Sequence, residues 1–172
     1  MISNLAPTCQ YLAQLILTRV VSHLNLSKLM SITDVPRLLQ RLSYLQSMTL
    51  IDWENDVSYL SWCIWFDVLA RTTKNLRKIR FRNVLICPIM ISLIAEYFSH
   101  SLETIIFDGQ QTKTYEKFDL VLCLLGDERN RLERVTASYQ SGITNFGITQ
   151  LVSNLTMVKE LNLVYVEAIN DE

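Results

Sequence analysis

The sequence predicts an α/β solenoid, because a short strand signal followed by a helical pattern recurs along the whole chain. Each strand signal has the spacing apolar-x-x-apolar-x-apolar, and leucine opens five of the six. Polar residues stand between the apolar ones, which is typical of strands with one solvated face. The six signals are Leu12-Leu15-Leu17, Leu45-Met48-Leu50, Leu76-Ile79-Phe81, Leu102-Ile105-Phe107, Leu132-Val135-Ala137 and Val158-Leu161-Leu163.

The signals recur at intervals of about thirty residues, as in the longer leucine-rich repeats. We therefore expect residues 1–172 to form a single leucine-rich-repeat domain of about six units, with a parallel sheet on its concave face and helices on its convex face. The alternative is an ordinary domain of βαβ units, whose strands are buried on both faces and rich in Val and Ile.

The gaps between the strand signals carry helical patterns, with apolar residues three and four positions apart. Pro36 stands where proline favours the first turn of a helix, Thr33 and Thr144 are candidate N-caps, and a further helical pattern follows Pro88. Gly126 is a candidate helix end. The predicted apolar faces are Leu38, Leu39 and Leu42; Trp62, Trp65, Phe66 and Leu69; Ile91, Ile94 and Phe98; Phe118, Val121, Leu122 and Leu125; and Ile148, Leu151 and Leu155.

Composition argues against several classes of function. The net charge of −1 gives no overall field that would attract nucleic acid. The four cysteines form no CxxC pair, so we expect reduced thiols and no metal. No phosphate-binding glycine motif occurs, and we expect no cofactor. The apolar run 84–95 is too short to span a membrane, and the N-terminus lacks signal-peptide features. We therefore expect an intracellular protein, cytoplasmic or nuclear, that does not bind membranes.

Neither end of the chain carries a helix or a polar segment that resembles the cap of a solenoid. Each unit of a solenoid leaves an apolar edge for its neighbour. We therefore expect the chain to be a fragment, or a domain whose ends are covered by something else.

No set of residues suggests catalysis. His23 and His100 fall at different positions of different units, and neither has a metal ligand one helical turn away. Ser101 is next to His100 in sequence, which does not indicate a catalytic triad. We therefore expect a protein that is not an enzyme. A hydrolase-type enzyme is the rival hypothesis, and it requires a nucleophile, a base and oxyanion donors in one pocket.

The concave face is the better candidate site, because residues between the inward-facing positions of each strand point to it. On the third strand these residues form a positive patch that Arg134 extends: Arg77, Lys78, Arg80, Arg82 and Arg134. We expect them to contact an acidic or phosphorylated segment of a protein partner. The alternative is ion pairing within the protein, through Glu103, Asp108 or Glu133. Two loop aromatics, Trp53 and Tyr139, either anchor the partner or pack.

The segment Ser-Gly-Ile143-Thr144-x-x-Gly147-x-x-x-Leu151-x-x-x-Leu155, followed by Val158-x-x-Leu161-x-Leu163, resembles the leucine-rich repeats of F-box proteins. Ser31-Ile32-Thr33-Asp34 resembles the same helix start, and Cys9-x-x-Leu12 resembles the Cys-Pro-x-Leu that precedes a strand in that family. The resemblance implies the substrate-recognition part of a ubiquitin-ligase subunit. Ribonuclease-inhibitor-like proteins and small-GTPase regulators have the same architecture and remain alternatives.

The sequence departs from that family in two ways. No F-box precedes the repeats, so adaptor binding is not assigned to any residue of this chain. The family's Asn or Cys at the end of each strand is also missing, and no ladder of side-chain hydrogen bonds is expected there. The corresponding positions hold Val20, Trp53, Val84, Gln110, Gln140 and Val166.

Overall fold

The computed structural model describes residues 21–27, 33–53, 58–109, 118–126, 131–140, 142–154 and 157–164. Strands and helices alternate throughout. The strands are β1 (His23–Ser27), β2 (Ser47–Ile51), β3 (Lys78–Arg82), β4 (Thr104–Asp108), β5 (Arg134–Ser138) and β6 (Glu160–Val164). The helices are α1 (Asp34–Leu39), α2 (Tyr59–Thr72), α3 (Pro88–Phe98), α4 (Phe118–Leu125) and α5 (Asn145–Asn154).

The six strands form one parallel sheet in chain order, β1 to β6. The register aligns equivalent positions of the repeated signal, so that Met48, Ile79 and Ile105 form one row across the sheet. Leu50, Phe81 and Phe107 form the next inward-facing row. These rows are buried, and the rings of Phe81 and Phe107 stack with centroids 5.5 Å apart. The predicted α/β class with a parallel sheet is therefore confirmed, and the arrangement is consistent with a solenoid, since each unit adds one strand beside the previous one.

The strand beside β2 is not among the six predicted signals. The strand that pairs with β2 is His23–Ser27, where Leu24 lies opposite Met48 and Leu26 lies opposite Leu50. The expected strand at Leu12-Leu15-Leu17 lies outside the described residues. Val21, Leu24 and Leu26 have the same spacing as the other strand signals, and pairing with β2 selects them.

The helices form a second layer over one face of the sheet, and each helix contacts the next in chain order. The core between the layers contains nearly all the predicted apolar helix faces, including Trp62, Phe66, Ile91 and Leu122. The exceptions are Leu38 and Ile148, which are partly buried, and Leu155, which lies outside the described residues. The run 84–95 contributes to this core through α3, and no helix among the described residues is long and apolar enough to cross a membrane.

Two helices begin where the sequence predicts, at Pro88 and after Thr144, whereas the predicted N-cap Thr33 does not cap its helix. Pro88 is in the first turn of α3. Thr144 precedes α5, and its Oγ1 accepts a hydrogen bond of 3.2 Å from the Phe146 amide. Thr33 has helical dihedral angles and makes no side-chain capping hydrogen bond, so it does not cap α1.

The backbone leaves four of the strands through a residue with positive φ: Asp52, Asn83, Gly109 and Tyr139. Positive φ is uncommon for residues other than glycine. At Asp52, Asn83 and Tyr139 the amide donates a 2.9 Å hydrogen bond to the last residue of the next strand. The repeat is therefore present in the main chain as well as in the apolar side chains.

Candidate protein-binding face

We call the sheet face that points away from the helices the open face. Its side chains occupy alternate strand positions and are partly or fully exposed, whereas the positions between them face the core. This alternation is what the sequence predicts for strands with one solvated face. The open face consists of His23, Asn25, Ser27, Ser47, Thr49, Ile51, Lys78, Arg80, Arg82, Thr104, Ile106, Asp108, Arg134, Thr136, Ser138, Glu160, Asn162 and Val164.

Strand β3 places three cations on this face, and we call Lys78, Arg80 and Arg82 the β3 cations. Lys78 and Arg82 are exposed, while Arg80 is half-buried between them. Arg77 directly precedes the strand and is also exposed. Side chains on one face of a strand repeat about every 6.6 Å, so the three charges lie close enough to repel one another in a medium of moderate screening.

Carboxylates on the neighbouring strand compensate part of this charge. Arg77 pairs with Glu103 at 3.0 Å, and Arg80 pairs with Asp108. Lys78 and Arg82 form no ion pair within the described residues. Four basic side chains on or next to β3 therefore have two acidic partners on or next to β4. The charges of Lys78 and Arg82 are the two that form no ion pair within the described residues.

Arg134 does not extend the patch as predicted. It lies on β5, with β4 between it and β3, and it pairs with Glu160 on β6. Glu133 and Lys159 form a second pair between the same two strands, at 2.9 Å. Each of these charges at the β5–β6 end of the face is therefore paired with an opposite charge. Internal ion pairs describe Arg77, Arg80 and Arg134 better than the predicted free patch does.

The surroundings of Glu160 favour its ionised form. The hydrogen bond from Arg134 lowers the pKa of the Glu160 carboxyl below its usual value near 4.5, and a second hydrogen bond from the Asn162 amide acts in the same direction. The Asn162 Nδ2 lies 2.6 Å from Glu160 Oε1. Glu160 therefore remains an anion over the physiological range and compensates Arg134 throughout it.

Trp53 cannot serve as the exposed partner contact that the sequence suggested. Its side chain is only 2% exposed, and its ring packs edge-on against Trp65 with centroids 5.1 Å apart. The indole Nε1 donates a 3.1 Å hydrogen bond to the Leu26 carbonyl oxygen. Tyr139, in contrast, is 48% exposed in the turn after β5. Of the two aromatic residues, only Tyr139 is accessible to a partner.

A second side chain occupies the same repeat position as Trp53 and also donates to the main chain. Gln140 is buried, and its Nε2 donates to the carbonyl oxygens of Gly109 (3.0 Å) and Ser138 (2.9 Å). Sequence reasoning expected no ladder here because the family's Asn and Cys are missing. Trp and Gln share one chemical property, a side-chain N–H group, and each uses it to reach a main-chain carbonyl of the preceding unit.

The remaining chemical groups form no reactive cluster in the described ranges. No group of three or more His, Cys, Asp or Glu side chains lies close enough to hold a metal there. Cys63, Cys87 and Cys123 are free thiols, and burial, followed by the nearby Asp119, raises the pKa of the Cys123 thiol. Cys9 lies outside the described residues. A small void between the layers is lined only by apolar side chains, among them Leu26, Trp62 and Phe66.

The sequence matches no protein-family model and no curated protein.

Proposed function

We propose that the chain is a non-enzymatic protein-interaction module of the leucine-rich-repeat type, which binds a protein partner on its open face. The observation that carries this proposal is the in-register array of polar and charged side chains on a sheet face that no helix of the described residues covers. A parallel sheet normally has both faces covered, so an uncovered polar face is suited to contact with another molecule.

Two structural details support the leucine-rich-repeat form, with the sheet on the concave side. Trp53 and Gln140 place side-chain N–H groups where that class uses Asn or Cys to bind turn carbonyls. Thr144 caps α5 within the Ile143-Thr144-x-x-Gly147 motif that resembles F-box repeats. On this basis we favour the substrate-recognition region of an intracellular, F-box-like ubiquitin-ligase subunit. Ribonuclease-inhibitor-like proteins and small-GTPase regulators are the alternatives.

Site-specific photo-crosslinking in cells tests whether the open face binds the partner. A benzophenone side chain introduced at Thr49 or Thr136 replaces a half-buried residue of the open face. The control position is Leu60, which is 65% exposed on α2. We expect the same discrete protein adduct from both open-face positions and none from position 60. Adducts from position 60 alone would contradict the proposal.

The ubiquitin-ligase assignment has a separate test. Purification of the full-length protein, followed by mass spectrometry, should recover a cullin and its adaptor together with the protein that crosslinks to the open face. The crosslinked protein should accumulate when the full-length protein is depleted. Recovery of the crosslinked protein without a cullin or an adaptor would reject the F-box-like role and leave the interaction module in place.

A further inference from the structure

The β3 cations differ from the other charges of the open face because acidic neighbours do not fully compensate them. Arg80 has Asp108, but Lys78 lies between the neutral residues Ser47 and Thr104 in the sheet register. Arg82 lies between Ile51 and Asp108, and Asp108 is already paired with Arg80. Two positive charges on one strand thus lack a counter-charge among the described residues.

Lys78 and Arg82 are exposed and are available to an anion. A carboxylate that binds them would form charge-assisted hydrogen bonds, which are stronger than neutral ones. The existing ion pairs of Arg77 and Arg80 compete only weakly with an incoming anion for these side chains. The side chains of Arg77 and Arg80 are 62% and 42% exposed, and exposed ion pairs contribute little to stability. The site therefore favours an anionic ligand without rearrangement of its own pairs.

The spacing of the cations indicates the shape of the ligand. Lys78 and Arg82 are four residues apart on one extended strand, about 13 Å, with Arg80 midway. An extended peptide carries side chains on one face at the same period, so acidic residues four positions apart would meet Lys78 and Arg82. Ile51 and Ile106, both half-buried on the adjacent strands, offer apolar contacts beside them.

We propose that the β3 cations bind an acidic, extended segment of the protein partner, with Lys78 and Arg82 forming new ion pairs and Arg80 remaining with Asp108. This inference rests on the proposed function and names the chemistry of the partner. A protein is favoured over nucleic acid because the positive charge is confined to one strand and the chain as a whole has a net charge of −1. Nucleic-acid binding usually requires a basic surface of greater extent.

The test uses fluorescence anisotropy with the purified chain and a labelled peptide that alternates glutamate and threonine. We expect the double charge reversal K78E/R82E to weaken binding by about tenfold or more, and added salt to weaken wild-type binding. The matched control is R37E/R41E, which makes the same change in charge at exposed positions with the same four-residue spacing, on α1 and the turn that follows it. The control should alter affinity by less than about twofold.

Circular dichroism shows whether K78E/R82E folds. If it does not, a variant that is expected to bind the peptide more tightly still tests the inference. Asp108→Asn removes the anion that compensates Arg80, so it should tighten peptide binding by several-fold. Equal binding of a glutamine–threonine peptide, or no tightening by Asp108→Asn, would overturn the inference. So would tighter binding of single-stranded RNA of equal charge, which would make the β3 cations a nucleic-acid site. A phosphoserine-containing peptide distinguishes phosphate from carboxylate as the preferred anion.

The two proposals fail in different ways. If open-face crosslinks persist while no acidic peptide binds, the partner uses the face through other residues and only the present inference is wrong. If crosslinking from the open face fails as well, the proposed function is wrong too.

Discussion

Trp53 and Gln140 each donate a side-chain hydrogen bond to a main-chain carbonyl of the preceding unit. A buried carbonyl without a partner costs free energy, so these N–H groups link neighbouring units beyond the hydrogen bonds of the sheet. The ring of Trp53 also packs against Trp65, and Trp65 packs against Trp62 at 5.0 Å. Trp53 thus stabilises the fold through the hydrogen bond of its indole N–H and through the packing of its ring, and substitutions can separate these two contributions.

Trp53→Phe retains an aromatic ring and removes the hydrogen bond to Leu26. We expect it to lower the free energy of unfolding by about 1–3 kcal/mol, because the Leu26 carbonyl loses its donor. Trp53→Ala should lower it by about 3–5 kcal/mol, since a cavity is added. Urea unfolding followed by circular dichroism measures both. Unchanged stability of Trp53→Phe would show that the hydrogen bond contributes nothing, and equal losses for the two variants would show that the ring packing contributes nothing.

The Arg134–Glu160 pair gives a prediction for pH dependence. Because the Glu160 pKa is lowered in the folded state, the pair contributes stability above the pKa of the unfolded chain. That contribution is lost as the pH falls through the lower, folded-state pKa. NMR titration should place Glu160 below 4.5, and Arg134→Gln should move its pKa upward. Lys159→Gln removes a nearby charge that pairs with Glu133 instead. An equal upward shift in that control would argue against the direct hydrogen bond.

At the scale of single elements, α4 and α5 approach closely at the start of α5. Asp119 of α4 accepts hydrogen bonds from the Thr144 amide (2.8 Å) and the Thr144 hydroxyl (2.5 Å). A Cβ atom at Gly147 would lie 2.2 Å from Asp119 Oδ1 and 2.9 Å from its Cα. The Thr144-x-x-Gly147 motif therefore combines a cap with a contact point for the preceding helix.

Gly147→Ala should lower the free energy of unfolding by about 1–3 kcal/mol, because the added methyl group collides with Asp119. Asp119→Ala removes the carboxylate, so Gly147→Ala should cost less in that background, although the contact with the Asp119 Cα remains. A double-mutant cycle by chemical denaturation measures this coupling. Costs that simply add would mean that the two helices separate to accommodate the methyl group.

The sequence predicts the later strands well because the apolar spacing and the sheet register have the same period. It misses β1, since the spacing of Val21-Leu24-Leu26 does not by itself indicate which strand pairs with β2. Alternation along a strand also predicts which charges share the open face. It cannot predict that Arg134 pairs with Glu160, because pairing depends on distances across strands. The burial of Trp53 depends in the same way on a neighbouring element, through Trp65 on α2.

At the scale of the whole molecule, the described strands and helices of each unit contact those of the units beside it in the chain. Helix contacts follow chain order, as the strand pairs do. Stability in such an array is close to a sum of unit and interface contributions, so opening begins where a unit has one neighbour. Among the described strands, β3 and β4 are paired on both sides, whereas β6 is paired only with β5.

The rate of amide hydrogen exchange should therefore differ from one strand to the next along the chain. We expect the amides of β3 and β4 to exchange slowest, because Phe81 and Phe107 stack in the centre of the core. The amides of β6 should exchange much faster, since Leu161 and Leu163 are only partly buried whereas Val135 and Ala137 on β5 are fully buried. Native-state exchange followed by mass spectrometry of peptides measures the gradient.

Ala137→Gly, which weakens the β5 row on which β6 packs, should accelerate exchange in β6 more than in β3. Uniform acceleration would indicate a single cooperative unit, and protection of β6 equal to that of β3 would mean that another surface covers its free edge.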